Sequence, residues 1–449
     1  MPPSTLKRVT STDRDISPPP SKRRVTATTT NNAVNNFFKP TSQKEPEKVT
    51  FSILHDSLIV GRHQDVPKLA KPKPVKVAAF DFDDTLIATK SGNRFARGAD
   101  DWRWWHASVP GKLKQLDAEG YTLVVLSNQG GISLRSDSKT PKGDMKSLNN
   151  FKGKVTAVLN ALDLPMTVYA ATGADGFRKP RGGMWQQLLK DHSLSDAGDI
   201  VHNDCLFVGD AAGREGDKEK GVKKDHSCSD RDFAANVDIP FHTPEEFFLG
   251  EAVKPFERAF DPRNYLVVGL ASASEATTGV VFTKKHEVEL VLFCGSPGAG
   301  KSTFFWHSMQ PLGYERVNQD TLKTRDKCMK AAREAIENGE SVVVDNTNAD
   351  IETRAAWIGL AKKLNVPVRL VHFTAPAKLC EHNDTVRALN GDLMNPESRT
   401  MLPKLAFTGF AARYREPKVE EGFDDVTKVD FKLQGSEAQR KVWGKFWVS

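Results

Sequence analysis

Three aspartates leave one short apolar run. Val77, Ala78, Ala79 and Phe80 read as a buried parallel strand, and the chain then passes at once into Asp81, Phe82, Asp83, Asp84 and Thr85. Side chains two apart on a strand point the same way, so Asp81 and Asp83 are expected to share a face. Carboxylates at the mouth of a buried strand are costly unless a cation meets them; a divalent metal and a phosphate would satisfy this set. A second cluster lies downstream. Residues 287–294 have the pattern of a strand and run into Gly295, Ser296, Pro297, Gly298, Ala299, Gly300, Lys301, Ser302 and Thr303, followed by helix-compatible sequence. This is GxxxxGK[ST] in a strand–loop–helix setting. Backbone N–H groups of such a turn cradle phosphates, Lys301 would reach the β- and γ-phosphates of ATP, and Ser302 would ligate Mg²⁺.

The elements that must position these groups alternate. Strand patterns at 121–126, 166–171 and 205–208 are separated by helical patterns at 112–118, 151–162 and 184–191. Each strand ends in polar residues: Ser127, Asn128 and Gln129 after the first, Thr172 after the second, Gly209 and Asp210 after the third. Ligands bind at the carboxyl ends of such strands, so these residues should converge on Asp81. The predicted class is α/β with two parallel-sheet domains. Trp102, Trp104 and Trp105 are close enough to be core, although aromatic residues can also stack on bases. Trp443 and Trp447 are expected to pack.

With 449 residues, 39% apolar and 27% charged, the chain supports more than one globular domain. No apolar run approaches the roughly 18 residues of a membrane span, and the N-terminus carries no apolar secretory signal. The five cysteines are scattered without a CxxC pair, which argues against a disulfide framework and a zinc site. Residues 1–50 hold nine Lys or Arg against four Asp or Glu, so most of the net charge of +7 sits there. Nucleic-acid affinity in the rest must come from local basic grooves. The predicted organisation is a disordered basic tail over 1–65, a first domain over 66–270, a linker over 271–284 and a second domain over 285–449. In the tail, Lys7-Arg8 and Lys22-Arg23-Arg24 resemble a bipartite nuclear import signal, which places the protein in the nucleus. Residues 31–38 (NNAVNNFF) resemble a sliding-clamp docking motif anchored by Val34, Phe37 and Phe38, with Asn31 where glutamine is usual.

The first domain resembles the haloacid-dehalogenase superfamily of phosphatases: Asp81 and Asp83 match its DxD motif, Ser127 its second motif, Lys179 its third and Asp210 its fourth. The resemblance implies that Asp81 attacks phosphorus and that Asp83 protonates the leaving oxygen and then activates water. It implies Mg²⁺ on the Asp81 carboxylate, the Asp83 backbone carbonyl and Asp210, with Ser127 and Lys179 on the phosphoryl oxygens. Asp84 stands where relatives carry glycine. The strings SGNRF, GADDW, EGYTLVVLSNQGGI, FKGKV, FRKP, FVGDAAGR, DHSCSDRDFAANV and TPEEFF narrow the similarity to the polynucleotide kinase 3′-phosphatase family. That implies a haloacid-dehalogenase-like Rossmannoid phosphatase followed by a P-loop kinase, with Arg178 a contact to the DNA strand.

In the second domain the same resemblance makes Asp320 the base that deprotonates a 5′-hydroxyl, with Gln319 where the family often has arginine. VVVDNTN (342–348) looks like a Walker B strand with Asp345 at its end, and EHNDTVR (381–387) like the kinase lid, with Arg387 clamping the transferred phosphoryl group. Arg354 either helps position substrate or lies exposed on a helix. The expected function is a monomeric, ATP- and Mg²⁺-dependent DNA end-healing enzyme that removes 3′-phosphates and phosphorylates 5′-hydroxyls. The same activities on RNA ends, or a repair scaffold with one degenerate site, stand as alternatives. The roughly 65 preceding residues are too few for the forkhead-associated sandwich of mammalian relatives, so that domain is not expected.

Overall fold

The computed structural model describes residues 48–64, 74–134, 141–195, 198–216, 224–266, 282–433 and 435–448. The basic clusters at 7–8 and 22–24, the 31–38 segment and most of the 271–284 linker lie outside them.

In chain order the first half contributes β1 (Val49–Leu54), β2 (Leu58–His63), β3 (Val77–Phe80), β4 (Ile87–Ala88), β5 (Arg103–Trp104), β6 (Thr122–Asn128), β7 (Met166–Ala171), β8 (Leu206–Val208) and β9 (Phe241–His242). Seven of these form one sheet in the order β1-β2-β7-β6-β3-β8-β9, while β4 pairs with β5 apart from it. β3 lies between β6 and β8 and is parallel to both, the arrangement its unbroken apolar run requires. Successive side chains leave opposite faces, so Ala78 and Phe80 enter one core and Val77 and Ala79 the other. Full burial of a side chain such as Phe80 contributes roughly 2 kcal/mol, which anchors the residue just before Asp81. Trp102, Trp104 and Trp105 pack against the first of these cores.

The tail expectation is corrected over residues 49–63. These form the β1–β2 hairpin, antiparallel in itself and antiparallel to β7, with the turn passing through His55 and Asp56 at positive φ. The strand signal was diluted by the polar stretch before it: β1 is an edge strand with alternating burial, whereas β2 is covered on both faces.

The second half builds a five-stranded parallel sheet from β10 (Leu290–Cys294), β11 (Tyr314–Val317), β12 (Ser341–Val344), β13 (Val368–Phe373) and β14 (Val426–Val429), in the order β11-β12-β10-β13-β14. β10 is central and fully buried, and the glycine-rich loop leaves its carboxyl end. Phe282 is buried against Phe304 and Tyr314, so the predicted linker overruns the second core by a few residues. Trp443 is buried beside Phe431 and His382.

Candidate active sites

The first site forms where β3, β6 and β8 end. Asp81 is the first residue beyond β3, and its N–H donates to the Val208 carbonyl at 2.8 Å, so the sheet itself carries the carboxylate. Lys179 reaches it from the loop before the helix Gly183–Asp191: its Nζ lies 2.8 Å from Asp81 Oδ1 and 2.8 Å from Asp230 Oδ1. Asn128, at the end of β6, fixes the backbone of Lys179, accepting from its N–H at 2.9 Å and donating to its carbonyl at 3.1 Å. Asp210 follows β8 at the same rim, and carboxylate oxygens of Asp81, Asp210 and Asp230 all lie within 4.8 Å of one another. Buried Ser127 accepts from Gln129 Nε2 at 3.0 Å.

Burial pushes the Asp81 carboxyl up to about 6 against the pull of Lys179. Burial, then the charges of Asp81 and Asp230, push Asp210 up to about 9. Burial opposes the charge on Lys179 too, but Asp230 and Asp81 outweigh it and raise its pKa. Three carboxylates around one ammonium leave a deficit of positive charge. A divalent cation would fit that deficit, and Asp81, Asp210 and Asp230 each offer it a carboxylate oxygen.

Asp83 has different surroundings. Its carboxylate accepts from Lys154 Nζ and Gln129 Nε2, each at 2.7 Å, and its side chain is 47% exposed toward the cavity. Asp84 has φ 55°, the left-handed region that glycine enters without cost and that aspartate tolerates better than most residues. The cavity measures about 680 Å³ and is lined by Asp81, Asp83, Ser127, Arg178, Lys179 and Asp210, among others. Half-buried Arg178 has its pKa lowered by burial, and no carboxylate among the described residues pairs with it.

The second site sits at the carboxyl end of β10. Gly298 and Gly300 have φ of 76° and 93°, and a Cβ on Gly298 would run into the Cys380 carbonyl, so the tight turn depends on glycine there. Lys301 begins the following helix and donates to the Gly295 and Ser296 carbonyls at 3.0 and 2.7 Å. Burial lowers its pKa despite nearby Asp345. Ser302 Oγ donates to Asp345 Oδ2 at 3.0 Å, which joins the loop to the end of β12. Arg316, from β11, donates to both: 2.9 Å to Ser302 Oγ and 2.5 Å to Asp345 Oδ2. Asn318 caps the short helix Gln319–Leu322 through the Asp320 N–H and also donates to the Asp345 carbonyl, so Asp320 and Asp345 are held on one framework.

The profile of the family described as "Polynucleotide kinase 3 phosphatase" matches residues 76–248, and that described as "AAA domain" matches residues 290–417. A curated relative, the bifunctional polynucleotide phosphatase/kinase of Schizosaccharomyces pombe, is 42% identical over 390 residues, 86% of each chain. The chain belongs to the bifunctional polynucleotide phosphatase/kinase family. The polynucleotide 3′-phosphatase of Saccharomyces cerevisiae is 29% identical over 222 residues, covering 39% of this chain and 88% of that one. The two sheets of this family member are thus a phosphatase domain and a P-loop kinase domain.

Of the residues singled out in the sequence, Asp81, Ser127, Lys179 and Asp210 come together, with Asp83 and Arg178 on the same cavity. Lys301, Ser302 and Asp345 come together in the kinase domain. The Asp320 side chain is 78% exposed and 3.6 Å from Arg399. Gln319 is exposed, its N–H bound to Asn346 Oδ1 at 2.9 Å. Arg387 donates to Asp384 on its own helix at 2.5 Å, and its buried Nε has no partner. Arg354 is corrected: it is not exposed on its helix. It is fully buried, bound twice by Glu421 at 2.7 Å and to the carbonyls of Asn348, Ala349 and Arg415. Sequence reasoning missed Asp230, Lys154 and Arg316. The one local signal for Asp230 was an acid in the first turn of a helix that ends up fully buried.

Proposed function

We propose that this enzyme heals DNA ends: it hydrolyses a 3′-phosphate at the Asp81 site and transfers the γ-phosphoryl group of ATP to a 5′-hydroxyl at the Lys301 site, leaving ends a ligase can join. The observation that carries the first half is the Lys179 ammonium set between two carboxylates at the rim of a cavity large enough for a nucleotide end. Asp81 is the nucleophile, and its attack on phosphorus gives an aspartyl-phosphate. Asp83 protonates the departing oxygen and then takes a proton from water, a role that contributes roughly 10²–10⁴-fold. Its contacts with Lys154 and Gln129 hold it over the cavity for both steps. Ser127 and Lys179 hold the phosphoryl oxygens, and Arg178 contacts the anionic strand. Asp81, Asp210 and the Asp83 carbonyl would hold Mg²⁺, which when bound would neutralise charge between nucleophile and phosphate.

In the kinase domain the glycine-rich loop and Lys301 take the ATP phosphates, while Ser302 and Asp345 fit a second Mg²⁺. Asp320 receives the proton of the 5′-hydroxyl; its exposure suits a base that meets a macromolecular substrate. Arg387 neutralises charge on the transferring group. The basic clusters at 7–8 and 22–24 support nuclear import, and Phe37 and Phe38 support clamp docking.

The test uses the full chain and a DNA oligonucleotide bearing a 5′-hydroxyl and a 3′-phosphate, with an RNA counterpart in parallel. Asp81→Asn should abolish phosphate release and spare 5′-phosphorylation, and Lys301→Ala should do the reverse. Loss of both activities from either change contradicts two independent sites. Equal turnover of RNA contradicts the DNA assignment, because the 2′-hydroxyl is the group that distinguishes the two.

A further inference from the structure

The two sites are tied by a segment that neither reaction uses. Asn236 ends the helix Ser229–Asn236, whose first turn carries Asp230. Its amide is almost fully committed: Oδ1 accepts from the Phe446 N–H at 2.8 Å, while Nδ2 donates to the Phe446 carbonyl at 2.7 Å and the Pro180 carbonyl at 2.8 Å. One side chain therefore joins the Asp230 helix, the loop carrying Lys179, and the irregular segment that follows the last helix of the kinase domain, Glu437–Trp443. Arg181 repeats the link, donating from Nε to the Trp447 carbonyl at 3.1 Å. The Phe446 ring is buried, with the Arg258 and Arg263 guanidinium groups 4.8 and 5.1 Å from its centre. At the other end, Trp443 Nε1 donates to Asn383 Oδ1 at 2.8 Å, and Asn383 Nδ2 donates to the Gly298 carbonyl in the glycine-rich loop, again at 2.8 Å.

We infer that residues 443–447 form a shared brace: through Asn236 they position the loop that carries Lys179, and through Asn383 they position the glycine-rich loop. The inference rests on the reading of Lys179 as the group that holds the phosphoryl oxygens. From the sheet side, the Lys179 backbone is held by Asn128 and its ammonium by Asp81. The Pro180–Asn236–Phe446 link closes the other side. Displacement of a reacting or holding group by about 1 Å costs up to 10²-fold in rate, so loss of this link should show in catalysis before it shows in folding. Asn236, Asn383 and Trp443 are positioning residues; none of them touches the reacting atoms.

The experiment compares Asn236→Ala, Trp443→Phe and Lys179→Ala in the full chain, measuring kcat and KM of both reactions and the inhibition constant of inorganic phosphate for the phosphatase. That constant does not depend on how much of the sample is folded. Asn236→Ala removes all three of these hydrogen bonds and should lower phosphatase kcat/KM about tenfold and weaken phosphate several-fold, with kinase constants unchanged. Trp443→Phe keeps a six-membered aromatic ring but removes the N–H donor with the rest of the indole; it should raise the KM for ATP several-fold. If Lys179→Ala keeps phosphate release, the reading of the phosphatase site fails. If Lys179→Ala loses it while Asn236→Ala keeps the parent's phosphate constant, or Trp443→Phe keeps the parent's KM for ATP, the brace is overturned.

Discussion

Lys179 and Asp230 stand 2.8 Å apart with both side chains almost wholly removed from water, and Lys179 meets Asp81 at the same distance on its other side. A single ammonium thus balances the proposed nucleophile and a second carboxylate on the wall of the same cavity. Asp230 also accepts the Ala211 N–H at 3.0 Å, which ties it to the turn bearing Asp210. Asp230→Asn keeps that acceptor but removes the charge. Lys179 should then lean toward Asp81 and lose its fixed height over the cavity. Phosphate release is expected to fall by about 10²-fold, the cost of a misplaced charge in a preorganised site, with 5′-phosphorylation unaffected. Phosphatase kcat/KM within threefold of the parent would sink the idea.

Metal binding at the first site should compete with protons. Without a cation the Asp81 carboxyl sits near 6 and that of Asp210 near 9, both raised mainly by burial. A cation needs both deprotonated, so at neutral pH its arrival must expel a proton from Asp210. Mg²⁺ affinity should therefore rise between pH 6 and 9, by up to about tenfold per pH unit while one proton is displaced. Calorimetry in two buffers of different ionisation enthalpy reads the proton count directly. Affinity flat across that window, with no proton released, would contradict the arrangement.

The parts of this architecture that were legible in sequence are those in which local pattern and global fold coincide. β3 is an uninterrupted apolar run because both its faces are covered, and in a parallel sheet the residues after such strands must converge; Asp81, Ser127 and Asp210 therefore declared themselves. The glycine-rich loop did so through residues that the turn geometry requires. What stayed hidden depends on distant partners. Asp230 and Lys154 are ordinary surface-helix residue types until Lys179 and Asp83 meet them from 51 and 71 residues away in sequence. The β1–β2 hairpin was lost because its burial depends on β7, more than a hundred positions later. Arg354 looked like a solvated helix residue because nothing nearby announces Glu421.

That arginine gives a prediction about stability. Its guanidinium is bound on every side, by one bidentate carboxylate and three carbonyls, so it joins the start of the helix Ile351–Lys363 to the 415–421 segment. Arg354→Met leaves Glu421 and three carbonyls without their donor. Breaking one partner of a buried ion pair costs about 3–5 kcal/mol, so the variant should unfold at clearly lower denaturant concentration. Its KM values for ATP and for the 5′-hydroxyl substrate should match the parent's. An unchanged denaturation midpoint, or a selective rise in substrate KM, would return Arg354 to the active site.

Acid should loosen the kinase domain through His382. This imidazole is fully buried between Trp443 and Phe260; one nitrogen lies 2.9 Å from the Trp443 carbonyl, and Nδ1 has no partner. The ring is thus the neutral form with its hydrogen on Nε2, and burial pushes its pKa down from 6.5 to about 4. Between those values the unfolded chain binds a proton that the folded chain refuses, so stability rises with pH there and falls as pH drops from 6.5 toward 4. Above 6.5 both states are neutral and the residue contributes no pH dependence. The difference spans about 3 kcal/mol at most, the size of a shift of two to three pKa units. His382→Gln keeps an N–H donor for the Trp443 carbonyl and removes the titration. Denaturant midpoints measured from pH 4 to 7 should therefore fall steeply with acid in the parent and less so in the variant; parallel curves would exclude His382 as the source.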